Sequence, residues 1–196
     1  MMGETPILVV VVPLLGAVLA MLAGLRVARA GWWIAVTAAL AQVVVAAALA
    51  WRVVAEGTVT YVAGGFEVPF GIGLVVDGLS GPLVVLIAVT FLAVVAYARR
   101  AGPHSSAFYS LLCLLIGGLT GMVVTGDAFN LYVFLEIAGL AAYALVASGD
   151  GADAAVAGFK YLVVGTVGAS LYLLGVGFLL IATGTLNMAD LAARIA

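Results

Sequence analysis

The sequence predicts an all-α integral membrane protein of about six transmembrane helices. Three observations carry that reading: 66% of the 196 residues are apolar, only 8% are charged, and the mean hydropathy is +1.34. A soluble domain needs a polar exterior, so fractions this lopsided fit a chain whose main solvent is hydrocarbon. The formal net charge of −2 is too small to imply a nucleic-acid partner, and the seven basic residues form no stripe that could follow a phosphate backbone, so no nucleic-acid partner is expected. Cys113 is the single cysteine, ruling out an internal disulfide and a multi-cysteine metal site, and it reads as a small packing residue.

The helices follow from runs without charge. Thr5 to Leu25, Ala30 to Trp51, Gly78 to Ala98 and Ser105 to Gly126 are each close to the roughly 20 residues a spanning helix needs. Ala128 to Gly149 makes a fifth, interrupted by one carboxylate. Ala154 to about Thr183 makes a sixth, reached through the Ser148–Gly151 turn. The first run is preceded by Glu4 instead of a basic region and is long enough to span, so it reads as helix one and not as a signal peptide. Pro13 removes a backbone donor within it and predicts a kink. Between helices two and three, Thr58 to Val62, then Gly64-Gly65, then Phe66 to Phe70 has the pattern of a short hairpin. That loop reads either as a structural lid or as an ion-collecting mouth built from Glu67 and Asp77.

Orientation follows from the arginines, because cytoplasmic loops carry an excess of Lys and Arg. Arg26 and Arg29 lie after helix one, and Arg99 and Arg100 after helix three. With six helices these loops share one face, which puts the N-terminus and the loop bearing Glu56, Glu67 and Asp77 outside. Arg52 and Arg194 go against the rule. Trp32, Trp33 and Trp51 near helix ends fit an aromatic belt.

Glu136 is the most informative residue. It sits near the middle of the fifth helix, where an ionised group costs at least about 2.5–3.5 kcal/mol on insertion scales. Phe129, Tyr132, Glu136, Gly139 and Tyr143 share one stripe at helical spacing, placing two phenols within one or two turns of the carboxylate. Two readings stand for Glu136: a proton-carrying group whose affinity is switched by a movable cation, or a fixed charge that locks two helices together. Lys160, one to two turns into the sixth helix, either joins the same proton path or snorkels to the interface. Asp127 reads as the cap of the fifth helix and, second, as a point of ion uptake. His104, in the loop after Arg99 and Arg100, is a minor candidate for proton uptake. Gly158, Gly165, Gly168 and Gly175 read as places where a neighbouring helix packs closely. No nucleophile–histidine pair, phosphate loop or metal-ligand set is recognisable, and no cofactor is expected.

These residues carry a family resemblance. Thr125-Gly126-Asp127-Ala128-Phe129-Asn130-Leu131-Tyr132-Val133-Phe134-Leu135-Glu136 resembles the fourth-to-fifth helix junction of the D-type chain of Mrp sodium/proton antiporters. Ala157 to Leu162 is similar to that family's sixth helix, Thr183 to Leu191 to the segment after it, and Phe70 to Ser80 to the start of helix three. The wider family includes proton-translocating subunits of respiratory complex I and of membrane-bound hydrogenases. The resemblance implies that Glu136 is the fifth-helix glutamate that pairs with a lysine across the channel, and that Lys160 is the sixth-helix lysine. It implies a chain in the plasma membrane of a prokaryote, with protons and Na+ as the ions moved and other membrane subunits as partners. Residues 1–196 would be one transmembrane domain, corresponding to the N-terminal six helices.

Members of this family have about fourteen helices, with a broken seventh helix and a second, inverted repeat. The sequence ends after the sixth, so the resemblance implies either a split subunit completed by another polypeptide or a truncated member. Two function classes follow: a proton-conducting antiporter subunit, or a scaffold that supports a larger membrane complex. Asn187 to Asp190 favours the Mrp type over redox-driven relatives, and no quinone site is expected in the chain.

Overall fold

A computed structural model describes residues 5–27, 29–62, 71–149 and 151–195. The elements in chain order are α1 (Thr5–Gly24), α2 (Ala30–Glu56), β1 (Val59–Val62), β2 (Gly73–Val76), α3 (Ser80–Ala101), α4 (Ser106–Val124), α5 (Ala128–Ala147), α6 (Ala152–Thr183) and α7 (Met188–Ile195). The helices α1 to α6 are each long and apolar enough to cross a membrane. α4 lies at the centre against α1, α2, α3 and α5, while α6 packs mainly on α5.

Up-and-down connection puts the loops on two faces. The α1–α2 and α3–α4 loops share one end of the bundle, where Arg29 and Arg99 line a common pocket. The other end holds the β-strands, the α4–α5 junction and α7. There Arg52 pairs with Glu56 at 3.0 Å and Arg194 with Asp190 at 3.4 Å, both one helical turn apart. Pairing Arg52 with Glu56 lets α2 run past Trp51, where the charge-free run stops. Val59 to Val62 pairs antiparallel with Gly73 to Val76, Val59 opposite Val76. Phe66 to Phe70, with Gly64, Gly65 and Glu67, lies outside the described residues, as does Glu4.

Asp77 is committed to capping. Its carboxylate accepts the Ser80 N–H at 2.8 Å, the Ser80 hydroxyl at 2.8 Å and the Leu79 N–H at 3.0 Å. The Ser80 backbone bond, then the Ser80 hydroxyl, hold this exposed carboxyl below its ordinary value of 3.8.

Pro13 has a partner that the sequence did not disclose. A helical N–H at position 13 would bond the carbonyl four residues back, that of Val9, and proline has none to give. Gln42 of α2, fully buried, donates its side-chain N–H to that same Val9 carbonyl at 2.7 Å. The gap in α1 thus becomes an interhelical tie, which matters where no water reaches the backbone. A second tie joins the Ser110 hydroxyl of α4 to the Ala17 carbonyl of α1 at 2.8 Å. Cys113 is buried in the cluster formed by Ala35, Phe91, Val95 and Ile116.

Candidate functional site

The segments singled out in the sequence meet at the hairpin end of the bundle. Gly126 N–H donates to the Gly73 carbonyl at 2.8 Å, Ala128 N–H to Leu186 at 2.9 Å, and Met188 N–H to Gly126 at 2.9 Å. β2, the α4–α5 junction and the α6–α7 linker are therefore held together by backbone bonds. Asp127 is buried at this knot and caps α5, accepting the Asn130 N–H at 2.7 Å. The Asn130 side chain in turn donates to the Thr125 hydroxyl at 3.0 Å.

Capping fixes where α5 starts and hence the depth of Glu136, eight residues on, or roughly 12 Å at the helical rise. It is half-buried. Among the described residues it makes no hydrogen bond and no ion pair. A helical side chain points back toward the N-terminus, and the Tyr143 hydroxyl accordingly lies beside Gly139, one turn from Glu136. Gly165 of α6 supplies the space: a methyl group there would overlap the Tyr143 hydroxyl. Tyr161 packs edge-on against Tyr143 with ring centroids 4.7 Å apart. Tyr132 points along the same helix toward Phe129, with centroids 6.1 Å apart.

Lys160 is exposed and, among the described residues, unpaired. Contacts of Gly158 with Ala147 and of Tyr161 with Tyr143 place Lys160 level with the last turns of α5, roughly 14 Å along the axis from Glu136. The two charges are not brought together within the chain. His104 lies at the arginine end, its Nε2–H donating to the Arg99 carbonyl at 3.0 Å, away from α5 and α6. Gly158 and Gly165 do admit α5, but Gly168 and Gly175 face open space.

Two tyrosines of α6 escaped the sequence reading: Tyr161, which braces Tyr143, and Tyr172, whose hydroxyl donates to the Ala128 carbonyl at 3.0 Å. Both lie on the α5-facing side of α6, and that stripe was the available signal. No group of His, Cys, Asp and Glu among the described residues could hold a metal ion. The α5–α6 pair thus presents a mid-membrane carboxylate, an adjacent phenol and a lysine near one end, an arrangement suited to taking up and releasing a proton.

Residues 125–195 match the family described as NADH:quinone oxidoreductase/Mrp antiporter, TM. The N-type chain of the NADH-quinone oxidoreductase of Desulforudis audaxviator is 45% identical over 198 residues, covering 98% of this chain and 39% of that protein. The D-type chain of the Na(+)/H(+) antiporter of Bacillus subtilis is 37% identical over 200 residues, covering 99% and 40%. Among solved structures, a chain of the membrane-bound sulfane sulfur reductase, an archaeal respiratory membrane complex, superposes with a TM-score of 0.89 at 34% identity, covering 97% of this chain and 40% of that one. The chain spans about two fifths of the length of these relatives.

Proposed function

We propose that this chain, a relative of the antiporter-like subunits shared by Mrp antiporters and respiratory complexes, contributes a proton path through Glu136 to a multisubunit Na+/proton antiporter. The observation that carries the proposal is the carboxylate itself: at mid-membrane depth, half-buried, with no cation or hydrogen-bond donor in contact among the described residues. A lock between helices of this chain would have its partner among the described residues. Without one, a cation brought close from elsewhere would be the group that acts on the carboxylate. Tyr143, and ordered water beside it, would relay between Glu136 and the end of the bundle where Lys160 lies; Asp127 and His104 are the uptake candidates at the two ends.

Residues 1–196 then act as one transmembrane domain equivalent to the N-terminal six helices of the longer relatives. Further helices, from the same or another chain, would cover the exposed face of α6 and bring the lysine. The chain sits in the bacterial plasma membrane with its N-terminus outside, since Arg26, Arg29, Arg99 and Arg100 share one end and only Arg52 and Arg194 the other. The 45% identity to a chain of an NADH-quinone oxidoreductase favours a second reading, a proton-translocating subunit of a redox-driven complex.

The test is sodium-dependent proton exchange in inverted vesicles from a transporter-deficient strain, expressing the chain with its neighbouring gene products. Glu136→Gln is expected to reduce exchange to background while the complex still assembles. Undiminished exchange in that variant would sink the proton path and leave a scaffold role. Proton pumping on NADH addition, with no response to Na+, would select the redox-driven reading.

A further inference from the structure

At the arginine end of the bundle, a pocket of about 440 Å³ is lined by Arg29, Trp32, Trp33, Arg99, His104 and Tyr109. Apart from His104, the uptake candidate at that end, no residue of the proton path lines it. We propose that this pocket binds the phosphate of an anionic phospholipid headgroup.

Its charge is unbalanced, because two guanidinium groups line it and no acidic side chain does. Neither Arg29 nor Arg99 makes an ion pair among the described residues. The Arg99 guanidinium lies over the Trp32 ring at 4.0 Å from its centroid and 5.6 Å from that of Trp33. Stacking of this kind holds the group in place while leaving its in-plane N–H donors free for a phosphate. Trp32 is fixed in turn by its indole N–H, which donates to the Val95 carbonyl at 3.2 Å.

The second observation is independent of charge. Tyr109 is 1% exposed, and its hydroxyl has no hydrogen-bond partner among the described residues. An orphaned buried hydroxyl costs about 1–3 kcal/mol, and a phosphate oxygen in the pocket would remove that cost. A bound anion would therefore satisfy both unpaired guanidinium groups and the stranded hydroxyl.

Location selects a lipid as the source of the phosphate. Trp32 and Trp33 stand in the first turn of α2, at the depth where indoles mark the headgroup layer. Leu25, Val27, Trp33 and Tyr97 expose apolar surface around the same end, where acyl chains would descend. Basic pockets between helices on the cytoplasmic side are suited to anionic headgroups.

The test is native mass spectrometry of the full chain in detergent, titrated with dioleoyl phosphatidylglycerol or dioleoyl phosphatidylcholine. Phosphatidylglycerol should be retained about tenfold more strongly or better, and Arg29→Gln with Arg99→Gln should abolish the difference. Tyr109→Phe, which breaks no internal bond and leaves the fold intact by circular dichroism, should weaken retention about fivefold. Arg26→Gln with Arg100→Gln, outside the pocket, should have a smaller effect than the pocket pair. Equal retention of the two lipids, an unchanged Tyr109→Phe variant, or equal effects of the two arginine pairs would overturn the proposal. Complete displacement of the lipid by inorganic phosphate would also overturn it, in favour of a soluble anion.

Discussion

α4 and α6 look alike as sequences and behave differently as structure. Both are apolar, both are glycine-containing and both are long enough to span, yet 56% of the most apolar stretch of α4 is buried inside the protein against 11% for α6. In water such a difference would appear as polar residues on the exposed helix. In a bilayer it does not, because lipid tails are as apolar as leucine and exert no pressure on composition. Hydropathy reports that a helix spans and says nothing about which neighbour it faces. The glycines repeat the lesson: a methyl group on Gly118 of α4 would press on the backbone of α5, and one on Gly168 of α6 would meet nothing within 4 Å among the described residues.

The same substitution at those two glycines should therefore give opposite results. Gly118→Ala pushes a methyl group against the Ala138 nitrogen and Phe134 carbonyl, and should cost about 3 kcal/mol, at the upper end for overpacking because backbone must move. Gly168→Ala should cost nothing in the chain alone and gain up to about 1 kcal/mol from helix propensity. Tryptophan-monitored unfolding in detergent mixtures reads both. Gly168→Leu sharpens the contrast: neutral in the isolated chain, it should lower recovery of the assembled complex if further helices cover that face.

Next in size is the Pro13–Gln42 tie. Gln42→Leu should cost about 2 kcal/mol by leaving the Val9 carbonyl unpaired. Pro13→Ala, which restores the missing N–H, should return most of that loss in the double variant, a coupling that independent sites would not show.

The smallest effect expected is at Asp77. Its carboxyl is held below 3.8 in the folded chain, so the bonds it makes stabilise the start of α3 above that pH and are lost as pH falls through the lower, folded value. Asp77→Asn should flatten the acid limb of the stability curve, bringing stability at neutral pH down toward the value the wild type reaches in acid.

What the sequence discloses follows from these physics. The six spans were legible because burying a charge in hydrocarbon is expensive, so charge-free runs mark them. Their ends were less so: Arg52 ended a run but not a helix, since Glu56 one turn on neutralises it. The short helix α7 went unread although Asn187 caps it, accepting the Ala189 and Asp190 N–H groups, and Asp190 faces Arg194. Eight residues with a mixed surface give too weak an apolar signal. Glu136 was legible because a lone carboxylate among apolar residues is conspicuous. Its surroundings were not: the cradle for Tyr143 depends on Gly165, and which glycine of α6 faces α5 is set by packing. Pro13 was read as a kink, and its answer lay 29 positions away in Gln42, a tertiary pairing with no local signature.

The clip between the start of α5 and the end of α6 has a mechanical consequence. Ala128 bonds Leu186 and Met188 bonds Gly126 at one end, while the short Ser148–Gly151 connection closes the other. Two rods fastened at both ends cannot slide past each other; a one-turn shift of α6 along α5 would shear both clip bonds. The freedom that remains is bowing, greatest at mid-span, and mid-span of α5 is where Glu136 lies.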